Sequence, residues 1–200
     1  MNTRTLWIGL VLVTLLSFSV LLFFGKEIYR LKPPIPEKVV SDSGEVLFTA
    51  QQIKDGQNVW QSIGGQQVGT VWGHGAYLAP DWSADWLHRE SLTILGGWSE
   101  SAPGLPSAKT ATEKQAMLEV RLQKALRANT YDQQTGILTL TADRVQAVNG
   151  NAAYYAGLFM NDPALESLRE SYSIPANTVK EKGRMDAMNA FFFWAAWACV

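Results

Sequence analysis

The start of the chain constrains it most. Leu6–Phe24 is a run of nineteen residues without a charge, Pro, Asn or Gln. At about 1.5 Å of rise per residue, a helix of that length reaches about 28 Å, close to the hydrocarbon thickness of a bilayer. A cleaved secretory signal would carry a shorter apolar stretch with a small-x-small site behind it. Phe23-Phe24-Gly25-Lys26 stands there instead, so the segment reads as an uncleaved anchor. Arg4 precedes it, while Lys26, Arg30, Lys32 and Lys38 follow. Taken alone, that bias would place the following domain on the cytoplasmic side.

Composition narrows the rest. Seventeen basic residues stand against eighteen acidic ones, for a net charge of -1. No basic stripe tracks a phosphate backbone, which argues against nucleic acid as a partner. Cys199 is the one cysteine, so the chain can form neither an intrachain disulfide nor a Cys-based metal or c-type heme site. Eight tryptophans are many for 200 residues. Trp favours a buried site with its N–H satisfied, or the membrane interface.

The pattern between the ends is mainly helical, with small β elements. Lys32-Pro33-Pro34-Ile35-Pro36 is stiff and extended. Val39–Phe48 has room for a short strand, with a turn at Ser41–Gly44. Thr49 and Gln52 have capping-box spacing and open a helix to Ser62, with Ile53, Gly56, Trp60 and Ile63 on one face. Gly64-Gly65 ends it. Gln66–Pro80 reads as a loop. Asp81 caps a helix to about Leu95, with Trp82 and Trp86 one turn apart, and Gly96-Gly97 stops it. Ser99–Ser107 is a turn-rich connection. Thr112 and Gln115 suggest a second capping box, before a helix to about Ala128 carrying Leu118, Leu122 and Ala125. Tyr131–Leu140 reads as a hairpin turning near Gln133–Gly136. Helices follow from Thr141 or Asp143, over Pro163–Tyr172, and from Asn177 or Thr178. The last turns apolar over Ala190–Val200 and reads as the opening of a second membrane helix. The expected organisation is a tail over 1–5, a membrane helix over 6–24, a linker over 25–48, a polar domain over 49–184 and a second span starting at 185–200. Such a chain is an N-terminal piece of a larger membrane protein.

Two stretches carry chemistry. One is Asp55-Gly56-Gln57-Asn58-Val59-Trp60-Gln61-Ser62-Ile63-Gly64-Gly65-Gln66; the other is Gly73-His74-Gly75-Ala76-Tyr77-Leu78-Ala79-Pro80-Asp81-Trp82. A helix entering a Gly-rich turn, then Gly-x-Gly-Ala-Tyr-x-Ala-Pro, resembles the heme-binding region of the cytochrome c subunit of bacterial nitric oxide reductases. There the helix ends in C-x-x-C-H, which supplies two thioether bonds and an axial His. In this chain the cysteine positions hold Ser62 and Gly65, and the His position holds Gln66. A cytochrome c-like domain without its heme, fused behind one membrane helix, resembles the N-terminal segment of the quinol-dependent nitric oxide reductases.

That resemblance implies an oxidoreductase of the heme–copper oxidase superfamily that serves denitrification in the bacterial inner (cytoplasmic) membrane. It reduces two NO, with two electrons and two protons, to N2O and water. The implied cofactors are two hemes b and a non-heme iron, held in a helical bundle that this chain lacks. The implied partners are membrane lipid, that bundle and quinol. The polar domain would then lie on the periplasmic, extracytoplasmic side. No catalytic residue is expected in this segment. A calcium ion links the heme propionates to both subunits in related reductases, and its contacts carry over to the Gly75 carbonyl and Tyr77. Neutral oxygen donors suit calcium. Without the ion, Gly75 permits a tight turn and Tyr77 is a buried, hydrogen-bonded anchor. His74 and His88 lack partners at ligand spacing and read as ordinary surface or core residues. Trp60, Trp72, Trp82 or Trp86 is expected to occupy volume that a porphyrin would otherwise fill. The competing architecture is an extracytoplasmic ligand-sensing domain of a membrane receptor or sensor kinase, which also runs helix, polar domain, helix. The sequence beyond Val200 separates the two: many spans with paired His, or one span and a coiled coil.

Overall fold

A computed structural model describes residues 2–101 and 110–200. It divides into two compact units, Met1–Pro34 and Ile35–Val200.

The first unit is helix α1, Thr3–Leu31. The Asn2 side chain caps it by accepting the Arg4 N–H at 3.3 Å. None of its residues is buried. Among the described residues it is the one helix long and apolar enough to cross a membrane. It extends beyond the expected 6–24, because Gly25, Lys26 and Glu27 continue the helix and Arg30 pairs with Glu27 one turn back.

The second unit begins with a hairpin. Strands β1 (Lys38–Ser41) and β2 (Val46–Thr49) pair antiparallel around the expected turn. Two short strands, β3 (Tyr131–Asp132) and β4 (Ile137–Leu140), form the second hairpin. Its turn closes through Gly136 at φ +70°, whose N–H donates to the Asp132 carbonyl at 2.8 Å. Parallel pairing of β1 with β4 joins both hairpins into one sheet, in the order β2-β1-β4-β3. Val39, Leu138 and Leu140 turn inward from it and are buried. Residues 38–48, assigned to a linker by sequence, are therefore part of the folded unit.

Helix α2, Ala50–Ser62, starts on the capping box read from the sequence, with Gln52 N–H donating to Thr49 Oγ1 at 3.3 Å. Its buried face is Ile53, Gly56, Val59 and Trp60. That face crosses helix α7, Lys182–Trp197, at Gly56. A Cβ there would overlap the Ala187 carbonyl and come within 2.7 Å of Phe191 Cβ. Only glycine lets the two backbones approach so closely.

Helix α3, Trp82–Ser101, does not stop at Gly96-Gly97. Neither glycine has φ > 0, and open space surrounds both. Continuing through them costs roughly 1 kcal/mol each, and the added turn places Trp98 in a small core with Ile94, Leu118 and Leu122. The Trp98 indole donates to Asp143 at 2.7 Å, and Arg121 lies 4.1 Å above its ring. The turn-rich connection expected at Ser99–Ser107 falls partly in this helix and otherwise outside the described residues. Helix α4, Ala111–Arg127, is capped by Thr110 with Glu113, two residues before the expected pair. The acidic Glu113 also suits the positive end of the helix, an advantage Gln115 lacks.

Helices α5 (Ala142–Phe159), preceded by Thr141 as its N-cap, and α6 (Glu166–Ser171) complete the unit. The last helix starts at Lys182, later than expected. Its apolar run packs against the rest of the domain. Phe191, Phe192, Phe193, Ala195 and Ala196 are buried in the domain's own core. Aromatic residues on all sides of α7 satisfy a helix enclosed by protein as well as one enclosed by lipid. Hydropathy alone cannot separate those environments.

Candidate functional site

The stretch that resembles a heme-attachment motif lies where α2 ends. Ser62 Oγ donates to the Val59 carbonyl and accepts from Arg184 Nη2, both at 2.7 Å. Gly64 (φ +121°) and Gly65 (φ +54°) then reverse the chain into one turn of 3-10 helix, Gly65–Val68. Gly65 is buried, and Gln66 is exposed. The three positions thus offer a committed hydroxyl, a hydrogen atom and a solvated amide. None can form a thioether bond or supply a ring nitrogen to iron, so they do not fit a c-type heme.

Directly after the motif, Gly69 (φ +108°) lies on Trp82. A Cβ on Gly69 would overlap the Trp82 indole nitrogen and sit 2.8 Å from the Pro80 carbonyl. The same indole donates to the Val68 carbonyl at 2.8 Å. Trp82 and Trp86 are fully buried. Trp82 packs on Phe159 at 5.3 Å and on Phe192 at 5.9 Å between ring centroids; Trp86 stacks on Tyr155 at 5.4 Å. Trp60 is buried against Phe191, 5.7 Å away. Trp72 is half-exposed, so it contributes less to this interior.

The Gly-rich segment forms a closed loop anchored at both ends. Thr70 and Asp81 are bridged in parallel, with Thr70 N–H donating to Pro80 O at 3.1 Å and Trp82 N–H to Thr70 O at 2.8 Å. The buried Asp81 carboxylate gathers the loop. Oδ2 accepts from Thr70 Oγ1 and from Gly73 N–H, both at 2.7 Å. Oδ1 accepts from Ser83 Oγ and, at 3.0 Å, from Ala84 N–H. Burial works to raise the Asp81 pKa, but donation from Ser83, Gly73, Thr70 and Ala84 outweighs it and holds the carboxyl below its ordinary range. Thr70 Oγ1 in turn accepts the Gly75 N–H at 2.8 Å. Trp72 takes a left-handed φ of +56°, uncommon for a bulky residue. Its N–H donates to Ser83 Oγ at 3.2 Å and its indole to Ala195 O at 2.7 Å, which ties the loop to α7.

At the far end, Ala76 N–H donates to Ala79 O at 2.8 Å. This leaves Tyr77 and Leu78 at the tip. Tyr77 is 100% exposed, so it is not the buried anchor of the alternative reading. Gly75 has φ +86°. The structure therefore places Tyr77 at an exposed tip and Gly75, half-buried, two residues before it. His74 and His88 are exposed on separate elements. Among the described residues no three His, Cys, Asp or Glu side chains are grouped to hold a metal. Gly75 and Tyr77 thus fit calcium only as two neutral donors to a site whose carboxylates come from elsewhere.

Sequence reasoning assigned Asp81 only a helix cap. Its partners Thr70 and Gly73 lie 11 and 8 residues away, and no local pattern announces such a contact. It also missed the buried ion pair between Arg144 Nε and Glu90 Oε1 at 2.7 Å, which joins α5 to α3.

Fold and site together define a helical, cytochrome c-like domain behind an apolar helix, with the heme-attachment residues replaced. The family model for the NorB cytochrome c-like domain of nitric oxide reductase matches residues 36–200, and the chain belongs to that family. It therefore carries a domain of a nitric oxide reductase, an oxidoreductase, and α1 is consistent with a membrane protein. No curated protein matches the chain. The family assignment takes the place of the receptor reading.

Proposed function

We propose that this chain is the anchor and heme-free periplasmic cap of a quinol-dependent nitric oxide reductase. The observation that carries the reading is the replaced attachment site: Ser62, Gly65 and Gln66 stand where covalent heme c would be held, and Cys199 is the one cysteine. A cap without its own heme cannot accept electrons from a soluble donor through that route, which agrees with the quinol donor that the family resemblance implies. Reduction of NO belongs to a helical bundle carrying two hemes b and a non-heme iron, outside this chain. The chain contributes a rigid body held beside that bundle, with α1 in lipid. The Gly75 carbonyl and the Tyr77 hydroxyl add two oxygen donors to a calcium ion whose charge offsets anionic groups of the bundle. Buried Trp60, Trp82 and Trp86 take up volume that a porphyrin fills in heme-bearing relatives; the close fit of Gly69 on Trp82 supports this.

The test is the spectrum and donor specificity of the intact membrane protein. Reduced spectra should show heme b without a c-type band, and NO consumption should follow added quinol but not reduced cytochrome c. Heme that stays with the polypeptide through acid–acetone extraction would overturn the reading. Tyr77→Phe should lower calcium retention several-fold, and unchanged metal content in that variant would remove Tyr77 from the site.

A further inference from the structure

The loop from Thr70 to Asp81 is more elaborately held than a surface connection requires. One carboxylate takes four hydrogen bonds, two from within the loop and two from the first turn of α3. Thr70 extends that grip by one step: its hydroxyl donates to Asp81 and accepts the Gly75 N–H. The order Asp81, Thr70, Gly75 is therefore a chain of hydrogen bonds that ends at the base of the exposed tip, which the Ala76–Ala79 bond then closes. At the tip the side chains gain little from burial. Tyr77 is wholly exposed and Leu78 half-exposed. A loop that pays the entropy of ordering without burying its tip is built to present it.

We propose that Asp81 is a positioning residue that, through Thr70, fixes Gly75 and Tyr77 in register for the cation they contact. This rests on the calcium reading given above. Asp81 itself is buried, with both oxygens occupied by loop and helix donors, and it does not touch the ion. Its influence is geometric. Calcium tolerates variable coordination, but each donor must still lie at roughly 2.3–2.6 Å. A tip free to drift by an ångström offers its oxygens only part of the time.

Asp81→Asn tests the geometry with nearly the same shape. The amide keeps one acceptor oxygen but turns its other atom into a donor facing the Gly73 N–H. Thr70→Val leaves the Asp81 charge in place and removes only the relay to Gly75. Two measurements are made on the intact protein in detergent: amide hydrogen exchange of peptides covering 70–82, and calcium retained after dialysis against a weak chelator. Positioning predicts that both variants speed exchange of the loop amides at least ten-fold, leave peptides from α2 and α7 unchanged, and lower retained calcium several-fold.

The outcomes separate cleanly. Loop exchange within two-fold of wild type in both variants overturns the proposal. Calcium lost in Asp81→Asn but kept in Thr70→Val also overturns it, because the carboxylate would then act by its charge. If wild-type protein retains no calcium yet both variants loosen the loop, the calcium reading fails and the positioning of the tip stands. If Asp81→Asn does not fold, Thr70→Val decides alone by the same two measurements.

Discussion

Gly56 and Asp81 show how much a single residue can fix here, and how unequally sequence reveals it. Gly56 was legible as part of a helical face, but only the crossing with α7 explains why it is glycine. A methyl group there would overlap the Ala187 carbonyl, and backbone cannot swing aside as a side chain can. Ala is the better helix former, by about 1 kcal/mol. Gly56→Ala should nevertheless destabilise the protein, by about 1–3 kcal/mol or more from overpacking, read as a lower melting temperature of the intact protein; an unchanged or higher value would mean that α2 and α7 can separate freely. For Asp81 the expectation concerns pH. Its folded pKa lies below the ordinary 3.8, so its contribution to loop stability is complete above that value and is lost as pH falls through the folded pKa. Loop amides, corrected for intrinsic exchange rate, should keep their protection at about pH 5 and lose it only as pH falls below 3.8 and through the lowered folded pKa. Loss that begins near neutrality would point to another group.

At the scale of elements, local signals were read best where they are local. The Thr49–Gln52 box, the turn at Ser41–Gly44 and the Tyr131–Leu140 hairpin all depend on residues within a few positions of one another. Errors arose where a tertiary contact overrode a local rule. Gly96-Gly97 looked like a stop, but burial of Trp98 and its bond to Asp143 carry α3 onward. The parallel pairing of β1 with β4 joins residues about a hundred positions apart, and no turn chemistry encodes it. The buried Glu90–Arg144 pair between α3 and α5 has a further consequence. Neither Glu90 Oε2 nor Arg144 Nη2 has a hydrogen-bond partner among the described residues, so the pair's desolvation is incompletely offset. Glu90→Ala alone should cost about 3–5 kcal/mol, because it strands a buried guanidinium. Replacing both residues with Met and Leu should recover most of that loss, and chemical denaturation of the three variants would show it. A double variant no better than the single would mean the pair itself supplies net stability.

The whole molecule poses a different question: on the proposed heme-free reading, whether the attachment positions alone keep heme out. The replaced residues were readable in sequence, and the family match agrees with the motif that carried the resemblance. What filled the interior was not readable, because it depends on α3, α5 and α7 converging. Trp82 and Trp86 are fully buried among Tyr155, Phe159, Phe192 and Phe193, immediately beneath the loop that follows the motif. Gly69 leaves no gap above Trp82. Restoring the chemistry should therefore not restore the cofactor. The triple variant Ser62→Cys, Gly65→Cys and Gln66→His, made in the intact protein alongside a c-type maturation system, is expected to carry no covalent heme on a denaturing gel stained for peroxidase activity. Cys at position 65 would also have to adopt φ +54°, a conformation that glycine takes freely and side chains rarely do. Adding Trp82→Ala opens space for one indole, far less than a porphyrin, so the fourfold variant should also stay unstained while losing about 3–5 kcal/mol of stability. A stained band from the triple variant would show that the aromatic interior parts readily, and the absence of heme would then rest on the three motif positions alone.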